Sequence, residues 1–264
     1  MKTKSFMNSS DSHHLAVIVP FRKAFDELQA FLPHMDKYLR NKNIDHTIYI
    51  INQADNLRFN RASLINAAWH EIRKEGKADY LVMHDVDLLP LNKDLPYGYP
   101  RKDDVVVHVA SPQYHPRYHY KKFIGGILLM KLKTYELVDG MSNRFWGWGQ
   151  EDDELFVRLR EKNIQILRPN NLTTTDQNTF LHLHDKIKRP RDGLKIGEQK
   201  IETRRRDRIT GLHDVSYEVE ERRILNIDKA QATVINVKLH CDIKGTPWCM
   251  IPTKGPSKGK APRA

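Results

Sequence analysis

The sequence of 264 residues contains no run approaching the about eighteen consecutive apolar residues of a membrane-spanning helix, so none is predicted. Residues 1–14 also lack the apolar middle of a signal peptide, and we expect a soluble chain. Cysteine is scarce: Cys241 and Cys249 are the only two, and they do not fit a zinc finger. From the residues alone they are either free thiols or one small disulfide-closed loop, and only the loop would indicate a secretory compartment.

Acidic residues are also in deficit. The sequence has forty-four Lys and Arg but only thirty-three Asp and Glu, which gives a net charge of +11 and a pI near 9.5. This positive field favours polyanionic partners such as nucleic acid, a sulfated glycan or a phosphate-bearing small molecule, without choosing among them. With 39% hydrophobic residues, the composition is that of a globular protein and not of a fibrous or disordered one.

Apolar runs and helical spacings alternate along the first third of the chain. The runs at residues 15–20, 46–51 and 80–85 predict buried strands. Apolar residues at helical spacing predict helices at 23–41 and 61–74. This alternation is typical of a parallel sheet with helical crossovers and therefore of an α/β fold. Later segments predict strands at 105–110, 125–132, 164–169 and 233–239, and a helix at 151–162.

One folded domain is the expected organisation. We expect residues 15–250 to form it, between a disordered N-terminal segment (1–14) and a basic disordered tail (251–264). Residues 185–208 are basic and poor in apolar side chains, which predicts a long mobile loop or a surface helix within the domain.

Two carboxylates directly follow the third predicted strand, in the segment HDVDLLP (84–90). Asp85 and Asp87 would share one face if the segment stays extended. Ligands bind at the carboxyl edge of an open α/β sheet. The pair therefore predicts a site for a divalent metal or for ribose hydroxyls, and the alternative is a solvated turn.

A pair of histidines occurs later, in FLHLHD (180–185). His182 and His184 also share one face of an extended segment. Neutral imidazoles beside a carboxylate suit Mn²⁺ or another borderline divalent ion better than Mg²⁺. The chain has thirteen histidines, so a chance pair is the alternative, and proximity to the two aspartates would favour a metal site.

Tryptophans and carboxylates meet in FWGWGQEDDEL (145–155), where four acidic residues begin a predicted helix. The helix dipole favours acidic residues in a first turn, but four exceed what capping needs and repel one another. Proteins bind sugars by packing the C–H face of the sugar on an aromatic ring, while carboxylates accept hydrogen bonds from the hydroxyls. Trp148 is the candidate for such a ring. A carboxylate there can also deprotonate an acceptor hydroxyl.

Three further residues stand at element ends. Arg22 follows the first strand, and Phe59 and Arg61 stand at the start of the second helix. Phe59 can stack on a base and the arginines can reach phosphate, although all three also suit ordinary helix entry.

Taken in order, these segments resemble the β-1,4-galactosyltransferase family over about residues 15–249. The resemblance is carried by VPFR, FNRASLIN, HDVDLLP, FIGGILL, GMSNRFWGWGQEDDEL, HLH and TPWC, and the HLH motif indicates the branch that acts on xylose. It implies a GT-A glycosyltransferase fold, in which one α/β domain has a mostly parallel nucleotide-binding sheet flanked by helices. It also implies Mn²⁺-dependent, inverting transfer of galactose from UDP-galactose to O4 of xylose on a core-protein serine or a β-xyloside, in proteoglycan synthesis, with no nucleic-acid partner.

The resemblance further implies individual roles. Asp152 would be the general base; Asp87, His182 and His184 the Mn²⁺ ligands; Arg22, Phe59, Arg61, Asp85 and Glu151 the donor contacts; and Tyr118, Tyr120, Trp148 and Asp153 the acceptor contacts. Residues 185–208 resemble a loop that folds over the bound donor, so the donor would bind first. Cys241 and Cys249 stand where this branch has a disulfide.

Some features depart from the family or leave alternatives open. Family members are type II Golgi membrane proteins with a lumenal catalytic domain. For this chain that location is an expectation that rests on resemblance alone, because no membrane-spanning run is predicted in the sequence. Ala24 stands where members often have a second arginine. The alternatives are transfer to N-acetylglucosamine, hydrolysis of a nucleotide sugar, and a non-catalytic basic protein that binds glycan or nucleic acid.

Overall fold

The computed structural model describes residues 13–251. The strands are β1 (His14–Phe21), β2 (Asp45–Gln53), β3 (Tyr80–His84), β4 (Leu88–Pro90), β5 (Val105–His108), β6 (Ile127–Lys131), β7 (Gln165–Leu167), β8 (Phe180–His182), β9 (Tyr217–Ile227) and β10 (Ala230–Leu239). The helices are α1 (Phe25–Asn41), α2 (Arg61–Glu75), α3 (Leu132–Leu137), α4 (Glu151–Glu161), α5 (Asp176–Thr179) and α6 (Gln199–Glu202).

Eight strands form one sheet in the order β7-β5-β6-β3-β1-β2-β10-β9. The central strands β3, β1, β2 and β10 are mutually parallel, and so are β5 and β7. β6 and β9 run antiparallel to their neighbours. The predicted α/β fold with a mostly parallel sheet is therefore confirmed.

Helices cover both faces of the sheet. Successive residues of β1 point to opposite faces, so Ala16 and Ile18 pack with the α2 side while Leu15 and Val17 pack with the α1 side. All eight β1 residues are buried. A strand buried on both faces is apolar throughout, which explains its continuous apolar run.

The ends of the domain differ in detail from the expectation. β1 begins at His14, one residue inside the segment expected to be disordered, because that residue is paired with Asp45 of β2. Residues 1–12 and 252–264, which hold most of both expected disordered segments, lie outside the described residues. Among residues 13–251, no helix combines the length and hydropathy needed to cross a membrane.

Three strands had no sequence prediction. β9 (YEVEERRILNI) lies at the sheet edge and is mostly exposed, so its charged residues give no apolar run. β4 and β8 have three residues each and form a separate two-stranded sheet. Their pairing depends on a contact between distant segments, which sequence periodicity does not report.

Candidate active site

The carboxyl edge of the parallel sheet opens into one cavity of about 620 Å³. Every candidate catalytic, metal, donor and acceptor residue lines it: Arg22, Phe59, Arg61, Asp85, Asp87, Tyr118, Tyr120, Trp148, Glu151, Asp152, Asp153, His182 and His184. A cavity of this size suits a small molecule the size of a nucleotide sugar.

The two aspartates do not lie on an extended segment as predicted. After β3 the chain turns through Val86 and Asp87, and the Leu88 N–H donates to the Asp85 carbonyl across 3.4 Å. After the turn, β4 pairs antiparallel with β8. Both carboxylates nevertheless line the cavity, since the turn is tight enough to keep them neighbours.

Pairing of β4 with β8 brings the histidine segment to Asp87. His182 lies opposite Leu88, and the Leu183 N–H donates to the Asp87 carbonyl across 2.8 Å. His184 Nδ1 then lies 3.4 Å from Asp87 Oδ2, and the His182 and His184 ring centroids are 6.0 Å apart. Segments that are distant in the sequence thus become one cluster.

The chemistry of this cluster fits a borderline divalent metal. Burial, followed by nearby arginines, lowers the pKa of both His182 and His184 to about 4, so both imidazoles are neutral at neutral pH. In the described chain, both ring nitrogens of His184 are buried and have no hydrogen-bond partner. Buried, neutral nitrogens beside a carboxylate are donors that Mn²⁺ accepts.

The cluster is not arranged as a finished coordination shell. No group of three His, Cys, Asp or Glu side chains within residues 13–251 converges closely enough to hold a metal. Arg189 supplies the positive charge beside Asp87, because its Nη2 lies 3.5 Å from Asp87 Oδ2 and 2.6 Å from Glu27 Oε1. Burial, reinforced by Asp85, raises the pKa of Asp87 to about 6.

A second group of carboxylates is gathered around Arg61, which begins α2. Its Nε donates to Asp85 Oδ1 (2.9 Å) and its Nη1 donates to Asp152 Oδ1 (3.0 Å). Glu151 Oε1 lies 4.0 Å from the same Nη1. Arg61 therefore contacts carboxylates where the sequence suggested a phosphate contact.

The pKa of Asp152 is strongly raised. Burial raises it to about 7, with Glu151 and Asp85 adding to the shift and Arg61 opposing it. A carboxylate with a pKa near neutrality is suited to general acid–base chemistry. Glu154, the last of the four acidic residues, instead pairs with buried Arg158 at 2.8 Å and serves the core.

Tyr118, Tyr120 and Trp148 form an aromatic wall of the cavity. Trp148 is 48% exposed, and the Arg191 guanidinium lies 4.9 Å from its ring centroid and 5.8 Å from that of Tyr118. The Tyr120 hydroxyl donates to Asp153 Oδ1 across 3.3 Å. This wall combines apolar ring faces with carboxylates, which is the pattern that holds a sugar.

Of the two candidates for contact with the nucleotide, Phe59 faces the cavity with its ring and Arg22 supports the backbone beside it. Phe59 is partly exposed to the cavity, with the Arg22 guanidinium 5.8 Å from its ring centroid. Arg22 donates to the carbonyls of Leu57 (2.6 Å) and Asp55 (3.0 Å), so its hydrogen bonds support the segment that carries Phe59.

Sequence reasoning missed other residues of the cavity. His115, Arg189, Arg191, Asp192 and Lys195 line it. Four of them belong to the basic segment 185–208, whose charge was the available signal. Cys241 and Cys249 lie away from the cavity lining and are joined in a disulfide, with their Cα atoms 6.2 Å apart.

The fold and the chemistry of the cavity are together typical of one class of protein, the α/β glycosyltransferases. The family model for the N-terminal region of glycosyl transferase group 7 matches residues 6–99, and that for the N-terminal domain of galactosyltransferase matches 106–184. The chain belongs to the β-1,4-galactosyltransferase family.

Curated relatives and solved structures agree with this assignment. Xylosylprotein 4-beta-galactosyltransferase of Caenorhabditis elegans is 50% identical over 240 residues, covering 90% of this chain and 82% of the relative. Beta-1,4-galactosyltransferase 7 of Homo sapiens is 51% identical over 237 residues, covering 90% and 71%.

The catalytic domain of Drosophila beta-1,4-galactosyltransferase 7, solved with xylobiose, has a TM-score of 0.88 and 45% identity, covering 91% of this chain and 100% of that one. A mutant of the Drosophila enzyme, solved with manganese, UDP-Gal and xylobiose, gives the same values.

Proposed function

We propose that this chain transfers galactose from UDP-galactose to O4 of xylose on a xylosylated core-protein serine, with Mn²⁺ and with inversion at the anomeric carbon. The observation that carries the proposal is the single cavity that unites the aspartate turn, the histidine pair, the acidic start of α4 and the aromatic wall. The named activity of the Caenorhabditis elegans relative, and the manganese, UDP-Gal and xylobiose bound by the Drosophila enzyme, support the same substrates.

The donor half of the site uses the sheet edge. Phe59 stacks on the uracil base, and Arg22 supports its segment. Asp85 accepts hydroxyls of the ribose or the donor sugar, and Arg61 holds its carboxylate in place. Glu151 is directed to the galactose.

Asp87, His182 and His184 are the residues that would hold Mn²⁺. When bound, the ion neutralises charge on the diphosphate and stabilises UDP as the leaving group. The neutral state of both histidines is what ligation requires. Arg189 Nη2 lies 3.5 Å from Asp87 Oδ2, so its charge favours the ionised carboxylate that ligation requires.

Asp152 is the general base on the acceptor side. Its carboxylate takes the proton from the xylose 4-hydroxyl while that oxygen attacks the anomeric carbon from the face opposite UDP. Attack from that face converts an α donor into a β product. Tyr118, Tyr120 and Trp148 pack on the xylose, and Asp153 accepts one of its hydroxyls, so the 4-hydroxyl is held near the base.

We assign the catalytic domain to residues 15–250, extended by His14, with which β1 begins, and the loop that closes over the donor to residues 185–208. We also propose that the enzyme works in the Golgi lumen as part of a membrane-anchored protein. The Cys241–Cys249 disulfide supports an oxidising compartment of this kind.

The test offers a β-xyloside and an N-acetylglucosaminide side by side with UDP-galactose and Mn²⁺. We expect transfer to the xyloside only, loss of transfer on chelation, and a fall in kcat of about a thousandfold for Asp152→Asn. Asp103→Asn is the matched control, because Asp103 pairs with Lys131 outside the cavity and its loss should leave kcat unchanged.

Each other outcome overturns part of the proposal. Transfer to N-acetylglucosamine keeps the mechanism and changes the acceptor. Release of free galactose without transfer indicates a hydrolase. Full activity of Asp152→Asn rejects Asp152 as the base. A folded protein that binds sugars without turnover rejects the proposal that the chain is an enzyme.

A further inference from the structure

Arg58 is an arginine that lies beside the cavity without lining it. It precedes Phe59 and is only 4% exposed. Burial of a guanidinium is costly unless each donor finds an acceptor. The acceptors around the guanidinium therefore show which segments Arg58 connects.

All five guanidinium N–H groups of Arg58 are used. Nε and Nη2 donate to the two carboxylate oxygens of Asp192 across 2.6 and 2.9 Å, and Nη2 also donates to the Leu194 carbonyl across 2.8 Å. Nη1 donates to Gln199 Oε1 across 2.9 Å and to the Trp248 carbonyl across 3.0 Å. Three of these four partners belong to the basic segment 185–208.

The same segment holds both backbone polar groups of Trp148. The Trp148 N–H donates to the Asp192 carbonyl across 2.7 Å, and Lys195 Nζ donates to the Trp148 carbonyl across 3.3 Å. Asp192 is thus bound by Arg58 through its side chain and by Trp148 through its main chain. The residue that Arg58 binds through its carboxylate therefore also holds the backbone of Trp148, whose ring lines the cavity.

Gly147 completes this contact. Its N–H donates to the Phe59 carbonyl across 2.8 Å, and its φ is +84°, in the region that favours glycine. A Cβ at this position would collide with Nη2 of Arg58. The glycine therefore lets the tryptophan segment lie directly on the guanidinium.

The disulfide-closed loop supports Arg58 from the other side. The Arg58 N–H donates to the Cys249 carbonyl across 2.8 Å, beside the guanidinium contact with the Trp248 carbonyl. Arg58 accordingly contacts both the Cys241–Cys249 loop and the basic segment, and the basic segment in turn contacts Trp148.

We propose that Arg58 is a positioning residue for the transfer reaction: its fork on Asp192 fixes residues 192–199 at the cavity mouth and, through them, Trp148. The expected effect on kinetics rests on the proposed function. The expected effect on how firmly residues 192–199 are held rests on the structure alone. A lysine has no planar fork and cannot replace the two parallel hydrogen bonds.

The test compares Asp192→Asn, Arg58→Lys and the double variant with the wild-type chain. Trypsin is the first probe, because the segment is rich in Lys and Arg and its cleavage reports local opening without any ligand. We expect cleavage within residues 185–208 to be about tenfold faster in each single variant than in the wild-type chain. The double variant should be cleaved no faster than the single variants, because both changes break the same interaction.

Kinetics are the second probe. We expect KM for the β-xyloside to rise about tenfold, with a smaller fall in kcat, since Asp152 is untouched. Arg222→Lys is the control: Arg222 is a half-buried arginine that pairs with Glu71 and Glu75, away from the cavity. It should lower thermal stability while leaving loop cleavage and KM unchanged.

Asp192→Asn keeps the inference testable if Arg58→Lys fails to fold, because the Asp192 side chain is 30% exposed. Wild-type cleavage and KM in Asp192→Asn would overturn the inference, as would equal effects in the control. A wild-type chain that transfers no galactose rejects the proposed function instead, and the cleavage comparison still decides the role of Arg58.

Discussion

At the scale of single residues, the pKa of Asp152 determines how activity depends on pH. Its carboxyl must be ionised to accept a proton, and its pKa is raised to about 7. We therefore expect kcat/KM to rise with pH through about 7 and to level off above it. A profile measured between mildly acidic and mildly alkaline pH checks this, and a flat profile would reject Asp152 as the group that titrates.

Removal of Arg61 gives a directional test of the same assignment. Arg61 opposes the rise in the Asp152 pKa, so Arg61→Gln should move the acidic limb of the profile to higher pH. The measurement is the midpoint of that limb, independent of any loss in rate. A shift to lower pH, or none, would contradict the assignment.

The sequence indicated the candidate residues that line the cavity, but it did not indicate their contacts. Asp85, Asp87 and the acidic start of α4 were recognisable because each follows a strand or opens a helix. The contact of Arg61 with Asp85 and Asp152 depends on three segments that meet only in the fold. Arg58 resembles any helix-entry arginine in the sequence, because its partners follow far along the chain.

At the scale of elements, segments with an apolar run were predicted, and the short strands β4 and β8 and the charged edge strand β9 were not. β1, β2 and β3 each contain a buried apolar run because helices cover both faces of the sheet. β8 has three residues and β9 carries charges at an edge, so neither shows a pattern.

The disulfide-closed loop allows a prediction at this scale. Replacing Cys241 and Cys249 together by alanine should lower the free energy of unfolding by about 2 kcal/mol, because the unfolded chain gains entropy. It should also speed tryptic cleavage at residues 185–208, since Arg58 loses a fixed partner in the Trp248 carbonyl. Denaturant unfolding and proteolysis measure the two effects.

The two measurements separate stability from positioning. A loss of stability with unchanged loop cleavage would mean that Arg58 holds the segment without help from the disulfide. Arg222→Lys again serves as the control, since it should lower stability by breaking the contacts with Glu71 and Glu75 only.

At the scale of the whole molecule, the net charge of +11 bears on the acceptor. A positive surface attracts an acidic peptide and is screened by salt. We expect KM for an acidic xylosylated peptide to rise roughly threefold between low and physiological ionic strength, and KM for a neutral β-xyloside to stay constant. Equal salt dependence for both acceptors would reject a role of this charge in acceptor binding.

The placement of β10 has a consequence for the order in which the enzyme is made. β10 comes late in the described chain, yet it pairs with β2 inside the sheet, and the disulfide loop that follows it contacts Arg58. A chain emerging from the ribosome therefore carries every residue assigned to the chemistry before it carries β10 and the loop that supports Arg58. Because β10 pairs with β2 and the loop contacts Arg58, we expect galactose transfer only from chains whose C-terminal strand and loop have been synthesised and have packed onto the first half.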